Sequence, residues 1–117
     1  MNHAFALDLK VARHKSGLAQ RDCAHLLDVN RNRISSLELG KTMPTVPEIC
    51  ALSLVYGKSF ESLFEPVMRD MRNELGIRLE TLPPMPNGWR GHFNRNNTLN
   101  RIAAHLEAID AHDRGAR

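Results

Sequence analysis

The sequence predicts an all-α protein, a cluster of short helices followed by a helical extension. Three observations lead there. Apolar residues recur three and four positions apart, the spacing of one helix face. Glycines at positions 17, 40 and 57 fall where those stripes stop. One helix start is also explicit, because Thr45 and Glu48 have the spacing of a capping box and Pro47 sits in the first turn, where its missing N–H costs little.

The elements follow in order. Ala4, Leu7, Val11 and His14 share one helical stripe, with Leu9 and Ala12 beside it, and Ser16 and Gly17 end the helix. Cys23, Ala24, Leu26 and Leu27 give a two-turn helix, and Val29 lies in a turn. Ile34 and Leu37 mark the inner face of a third helix, which Gly40 terminates just before Pro44. Ile49, Leu52 and Tyr56 form the inward stripe of the fourth. Ser59 is positioned to cap a short fifth helix carrying Phe60, Leu63 and Phe64. A boundary is expected near Pro66, dividing residues 1–65 from 66–117. Val67, Met71 and Leu75 predict a helix over about 66–80, weakened by Gly76. A Pro/Gly-rich loop is expected over 82–97, and a last helix from Thr98 to His112.

The stretch from Gln20 to Leu39 has the makings of two helices crossing steeply through a short turn. Such a pair needs a small residue at the crossing, apolar residues filling the angle, and a turn residue that tolerates positive φ. Ala24 is the small residue. Cys23, Leu27, Val29, Ile34 and Leu37 fill the angle, Asp28 takes the turn, and Asn30 can cap the second helix. That second helix turns Arg31, Asn32, Arg33, Ser35 and Ser36 outward, with no acid before Glu38. Arg offers paired donors to guanine O6 and N7, and Asn pairs with adenine N6 and N7, so this face suits the DNA major groove. Gln20, at the start of the preceding helix, is placed to meet a phosphate.

Residues 7–65 resemble the helix-turn-helix domain of the phage-repressor class, the lambda-repressor-like or XRE family. Arg13 matches that family's arginine in the first helix. Gln20, Cys23 and Ala24 match its Gln-x-x-Leu-Ala, while Ile34, Leu37, Glu38, Gly40 and Lys41 match its Ile-x-x-hydrophobic-Glu-x-Gly-Lys, with Pro44 following. The resemblance implies a five-helix DNA-binding domain, a homodimer on a palindromic operator in double-stranded DNA, and control of transcription, with repression of its own operon expected. It carries Gln20, Arg31, Asn32 and Ser36 over as positions that meet bases or nearby phosphates, and Arg33 and Lys41 as backbone contacts. Arg21, Asn30 and Ser35 complete the expected DNA-binding set. Glu38 is structural in the family and is expected to pair with Arg13 beneath the recognition helix. Ala19 stands where the family usually has a Ser or Thr cap, a loss of about 1 kcal/mol. Asp28 replaces the common Gly and Ser53 a common Ala.

The resemblance ends near Pro66. Leu99, Ile102, Leu106 and Ile109 are spaced three, four and three, an a/d seam that fits a partner helix, so residues 66–117 are expected to be a dimerisation region. Folding back onto the N-terminal domain is the other use of such a seam. Between Thr81 and Leu106 there is no acidic residue, and Arg90, His92, Arg95, Arg101 and His105 alternate with Trp89 and Phe93. Such a segment can form a nucleic-acid arm, or a loop whose Trp plugs a dimer core; the loop is the expectation.

Composition restricts the alternatives. The net charge is +3, with 12 Arg and 4 Lys, and Arg suits phosphate and guanine edges. The six His and two Cys form no CxxC, HxH or HExxH grouping, so neither a metal nor any other cofactor is expected, and no nucleophile–base arrangement suggests an enzyme. Cys23 and Cys50 are expected on inward helix faces as small hydrophobes rather than as a disulfide. No run of 18 apolar residues could span a membrane and the N-terminus lacks an export signal, so a cytoplasmic location is expected. The rival functional reading is an antitoxin-like module that binds a partner toxin and represses its own operon.

Overall fold

The computed structural model describes residues 4–115. They form seven helices: α1 (Phe5–Ser16), α2 (Gln20–Leu27), α3 (Arg31–Glu38), α4 (Val46–Tyr56), α5 (Phe60–Leu63), α6 (Glu65–Glu80) and α7 (His92–Gly115). The chain divides into two compact units, Met1–Asp70 and Met71–Arg117. No described helix is long and apolar enough to cross a membrane.

In the first unit α3 packs on α2 and α1, α4 on α2 and α1, and α5 on α1 and α4. Phe5, Leu9, Ala12, Leu37, Leu52, Leu63 and Phe64 form the main buried cluster, and Cys23, Ala24 and Ile34 form a second one in the angle between α2 and α3. Leu27 and Tyr56 touch both clusters and join them. Each fully buried Leu or Phe contributes roughly 1.5–3 kcal/mol. The Phe5 and Phe64 rings meet in a tilted arrangement with centroids 5.7 Å apart, tying the first helix to the end of α5.

The core face of α1 differs from the expected stripe. Leu7 is 66% exposed, and Val11 and His14 also face solvent, while Phe5, Ala6, Leu9, Ala12 and Arg13 are buried. The two candidate faces lie on nearly opposite sides of the helix at about 100° per residue. Both are apolar, so periodicity alone does not choose between them. Phe5 and Arg13 decide it, the first with the largest apolar surface and the second with a buried partner on α3. Cys50 is likewise exposed rather than inward. The inward stripe of α4 runs through Ile49, Leu52 and Tyr56, and Cys50 sits about 100° around the helix from Ile49.

The second unit holds the rest of α6 and α7. Helix α7 begins at His92, six residues before the expected start, so part of the expected loop is helical. Gly91 is the last breaker, and its carbonyl accepts the Arg95 N–H at 2.7 Å. The Asn residues that follow are only mildly unfavourable in a helix. Arg72, Asn73 and Gly76 of α6 and Leu106 and Asp110 of α7 line a common cleft.

Candidate nucleic-acid interface

The α2–α3 turn is built by local chemistry. Asp28 adopts φ 56° and ψ 46°, the left-handed conformation expected of it. The Val29 N–H donates to the Ala24 carbonyl at 3.0 Å and the Asp28 N–H to the His25 carbonyl at 3.2 Å, a Schellman closure of α2. Two residues later Asn30 is extended and its side-chain oxygen accepts the Arg33 N–H at 3.0 Å, opening α3. Ala19 makes no side-chain cap to α2. The Asp22 carboxylate instead accepts the Ala19 N–H at 2.8 Å, supplying half of a capping box. At the far end of α3, Gly40 takes φ 72° and the Lys41 N–H donates to the Ser36 carbonyl at 3.0 Å, a second Schellman closure that sets the start of the loop to α4.

These closures bracket α3 at both ends. Ile34, Leu37 and Glu38 are buried, whereas Arg31, Asn32 and the capping Leu39 are exposed and Ser35 and Ser36 are half-buried. At about 100° per residue, Asn32, Ser35, Ser36 and Leu39 occupy one outward arc of roughly 100°, with Arg31 and Glu38 along one edge and Arg33 along the other.

The first edge is a connected polar network. The Arg13 Nε and a terminal guanidinium nitrogen donate to the two Glu38 carboxylate oxygens at 2.7 and 3.0 Å, and its other terminal nitrogen donates to the Leu18 carbonyl at 3.0 Å. Both partners are buried. The Glu38 carboxylate beside it holds the Arg13 guanidinium above its ordinary pKa, and the two form a bidentate cross-link between α1 and α3. Gln20 continues the network outward. Its amide nitrogen donates to Glu38 at 3.2 Å, and its amide oxygen accepts from the Arg31 Nε at 3.4 Å. Arg21 is exposed beside them, on the cleft that Gln20 and Arg31 also line. Beneath this edge the buried Cys23 thiol and the Tyr56 hydroxyl lie 3.3 Å apart, and burial pushes the phenol well above its usual range.

The second edge is a clamp. Arg33 Nε and a terminal nitrogen donate to the Glu48 carboxylate at 2.8 and 2.7 Å. Its terminal nitrogens also donate to the Thr42 hydroxyl at 3.2 Å and the Met43 carbonyl at 3.0 Å. Glu48 serves the α4 cap as well, accepting the Thr45 N–H at 2.7 Å while Thr45 accepts the Glu48 N–H at 3.3 Å. The hydrogen bonds from Arg33, with those from Thr45, hold the Glu48 carboxyl down at about 2.

Of the residues expected at the site, Gln20, Arg31, Asn32, Ser35 and Ser36 come together along the outward arc and its first edge, with Arg21 adjoining and Lys41 exposed after the Gly40 turn. Arg33 is turned aside into the clamp, and the Asn30 oxygen is occupied as a cap. The expected Arg13–Glu38 pair is present. The capping role of Glu48 is present as expected, while its tie to Arg33 and the contact of Arg33 with Thr42 are additional. The capping-box spacing explained Glu48 fully, and no periodic signal links it to Arg33 across a turn.

Residues 9–63 match the helix-turn-helix family model. No curated protein and no solved structure matches the chain. The match covers α2, α3 and the clamp together, along with all but the first turn of α1. Residues 9–63 of the first unit therefore form a helix-turn-helix domain, similar to those of the XRE-type, lambda-repressor-like DNA-binding regulators.

Proposed function

We propose that the protein is a homodimeric repressor of its own operon, reading a palindromic operator with α3 in the major groove. The observation that carries this reading is the outward arc of α3. It presents Asn32, Ser35 and Ser36 with Arg31 at its edge, and the single acid of that helix, Glu38, is buried against Arg13. A face without exposed carboxylates, flanked by Arg21 and Lys41, suits a polyanion. In this reading Arg31, Asn32, Ser35 and Ser36 meet base edges, while Gln20, Arg21 and Lys41 meet phosphates. The second unit joins two copies through the α7 seam, which sets two reading heads about one helical turn of DNA apart.

Footprinting on the DNA upstream of the protein's own gene tests the proposal. Protection of two inverted half-sites about 34 Å apart is expected, together with lower expression of a reporter driven from that DNA. Uniform binding without a protected site would reject it. Co-purification of a stoichiometric small protein from the native host would move the reading to an antitoxin that represses through the same face.

A further inference from the structure

Arg33 lies on the recognition helix, carries a charge suited to DNA, and yet bonds inward. Its Nε and both terminal nitrogens donate to Glu48, Thr42 and Met43. Three separate pieces of backbone meet at this one side chain. Its own N–H is the donor that Asn30 caps at the start of α3. Thr42 and Met43 belong to the loop that follows Lys41. Glu48 closes the capping box that opens α4. The guanidinium therefore ties the start of the recognition helix to the loop at its far end and to the first turn of the next helix. Glu38, five residues later, makes the equivalent bidentate tie to α1. The two arginine–glutamate ties emerge from α3 about 140° apart, one along each edge of the outward arc.

We infer that Arg33 is a positioning residue that sets the rotation of α3 and the placement of the Lys41 loop against DNA, and that it is withheld from the phosphates by its bidentate pairing with Glu48. This inference rests on the DNA-binding reading above. Its physical basis is that a planar fork bound at two oxygens fixes both distance and orientation, which an ammonium point charge does not. A small rotation of α3 would move Arg31 and Asn32 off their base edges while leaving the overall positive charge unchanged.

The two roles for Arg33 separate experimentally. Operator and random-duplex affinities are measured across a salt series for the full chain and for Arg33→Lys, Arg33→Gln, Glu48→Gln and the Arg33→Gln/Glu48→Gln pair. Glu48→Gln keeps an acceptor for the α4 cap, because Gln also serves in a capping box. For a positioning residue, each single change lowers operator affinity by about tenfold and the double change adds little, as expected for two halves of one interaction. Random-duplex affinity and the salt slope stay at wild-type values, and Lys fails to rescue. If Arg33 instead contacts phosphate, Arg33→Gln lowers the salt slope by about one, Arg33→Lys restores binding, and Glu48→Gln is silent; that pattern overturns the inference and leaves the DNA-binding reading intact. Thermal melts of each variant identify a purely stabilising role, which would lower the melting temperature with an unchanged operator-to-random ratio and would also overturn it. A wild-type chain with no preference for any upstream DNA would refute the DNA-binding reading itself, which is a different result from either.

Discussion

The two units use similar side chains to different effect. Every buried residue among those whose burial is described lies at or before Phe64. The second unit does not lack apolar residues. Met71, Leu75, Ile77, Leu82, Trp89 and Phe93 are exposed, and Leu99, Ile102, Leu106 and Ile109 are only half-buried. The difference is geometric. Five short helices crossing at several angles can surround a side chain on every side, whereas two helices can only cover one another's facing stripes. Gly76 illustrates it: a β-carbon added there, in the cleft lined by α6 and α7, would meet nothing within 4 Å. The first unit closes its own core, and the second leaves much of its apolar surface uncovered.

A matched pair of phenylalanines gives the largest expected contrast. Phe64 is 2% exposed and contacts the Phe5 and Phe60 rings, while Phe93 is 74% exposed. Phe64→Ala is expected to cost about 3–5 kcal/mol through the cavity it leaves, and Phe93→Ala less than about 0.5 kcal/mol in the monomer. Urea denaturation of both variants measures the gap, and equal losses would break the distinction between the units. The next effect concerns association. A charge in the middle of the α7 seam, Leu106→Glu, should leave the first unit folded and separate the copies. Operator affinity should then fall by about a hundredfold as the second reading head loses its tether. Truncation after Pro86 should behave the same way. A variant that remains dimeric in sedimentation would show that the seam is not the interface.

Within the first unit, the edge of the reading face sets the third expectation. Arg31→Ala should weaken operator binding by roughly 1–3 kcal/mol and random DNA far less, the mark of a bidentate base contact. An equal loss on both would reassign Arg31 to phosphate. This residue also shows how far the sequence alone reaches. The turn at Asp28, the Asn30 cap and the Thr45–Glu48 box are legible because each is a short-range rule, whereas the Arg13–Glu38 pair is expected only through the family resemblance. What could not be read depends on choices between equally good local solutions. The face of α1 was ambiguous because both of its sides are apolar, and Phe5 resolves it only through Phe64, distant in sequence. Arg33 was indistinguishable from a DNA contact by residue type, since the same guanidinium fork fits a carboxylate as well as a phosphate. Only the tertiary position of Glu48 reveals that this guanidinium also has a carboxylate partner.

The smallest effect tests that pairing through pH. The hydrogen bonds from Arg33, and then those from Thr45, lower the Glu48 carboxyl in the folded state from 4.5 to about 2. Between those values the unfolded chain carries the extra proton, so stability rises with pH across that window. The contribution is complete above about pH 4.5 and is lost as the pH falls toward 2. The second unit supplies the contrast. Glu74 and Arg78 in α6 pair at 3.5 Å with both side chains more than half exposed, and Glu74→Gln should change stability by less than about 0.5 kcal/mol. Denaturation midpoints measured from pH 2 to 6 should therefore show a shallower acid limb for Glu48→Gln than for the wild type. Parallel acid limbs would mean that Glu48 does not hold its charge against Arg33, and that the clamp at the second edge of the reading face is weaker than its two short hydrogen bonds imply.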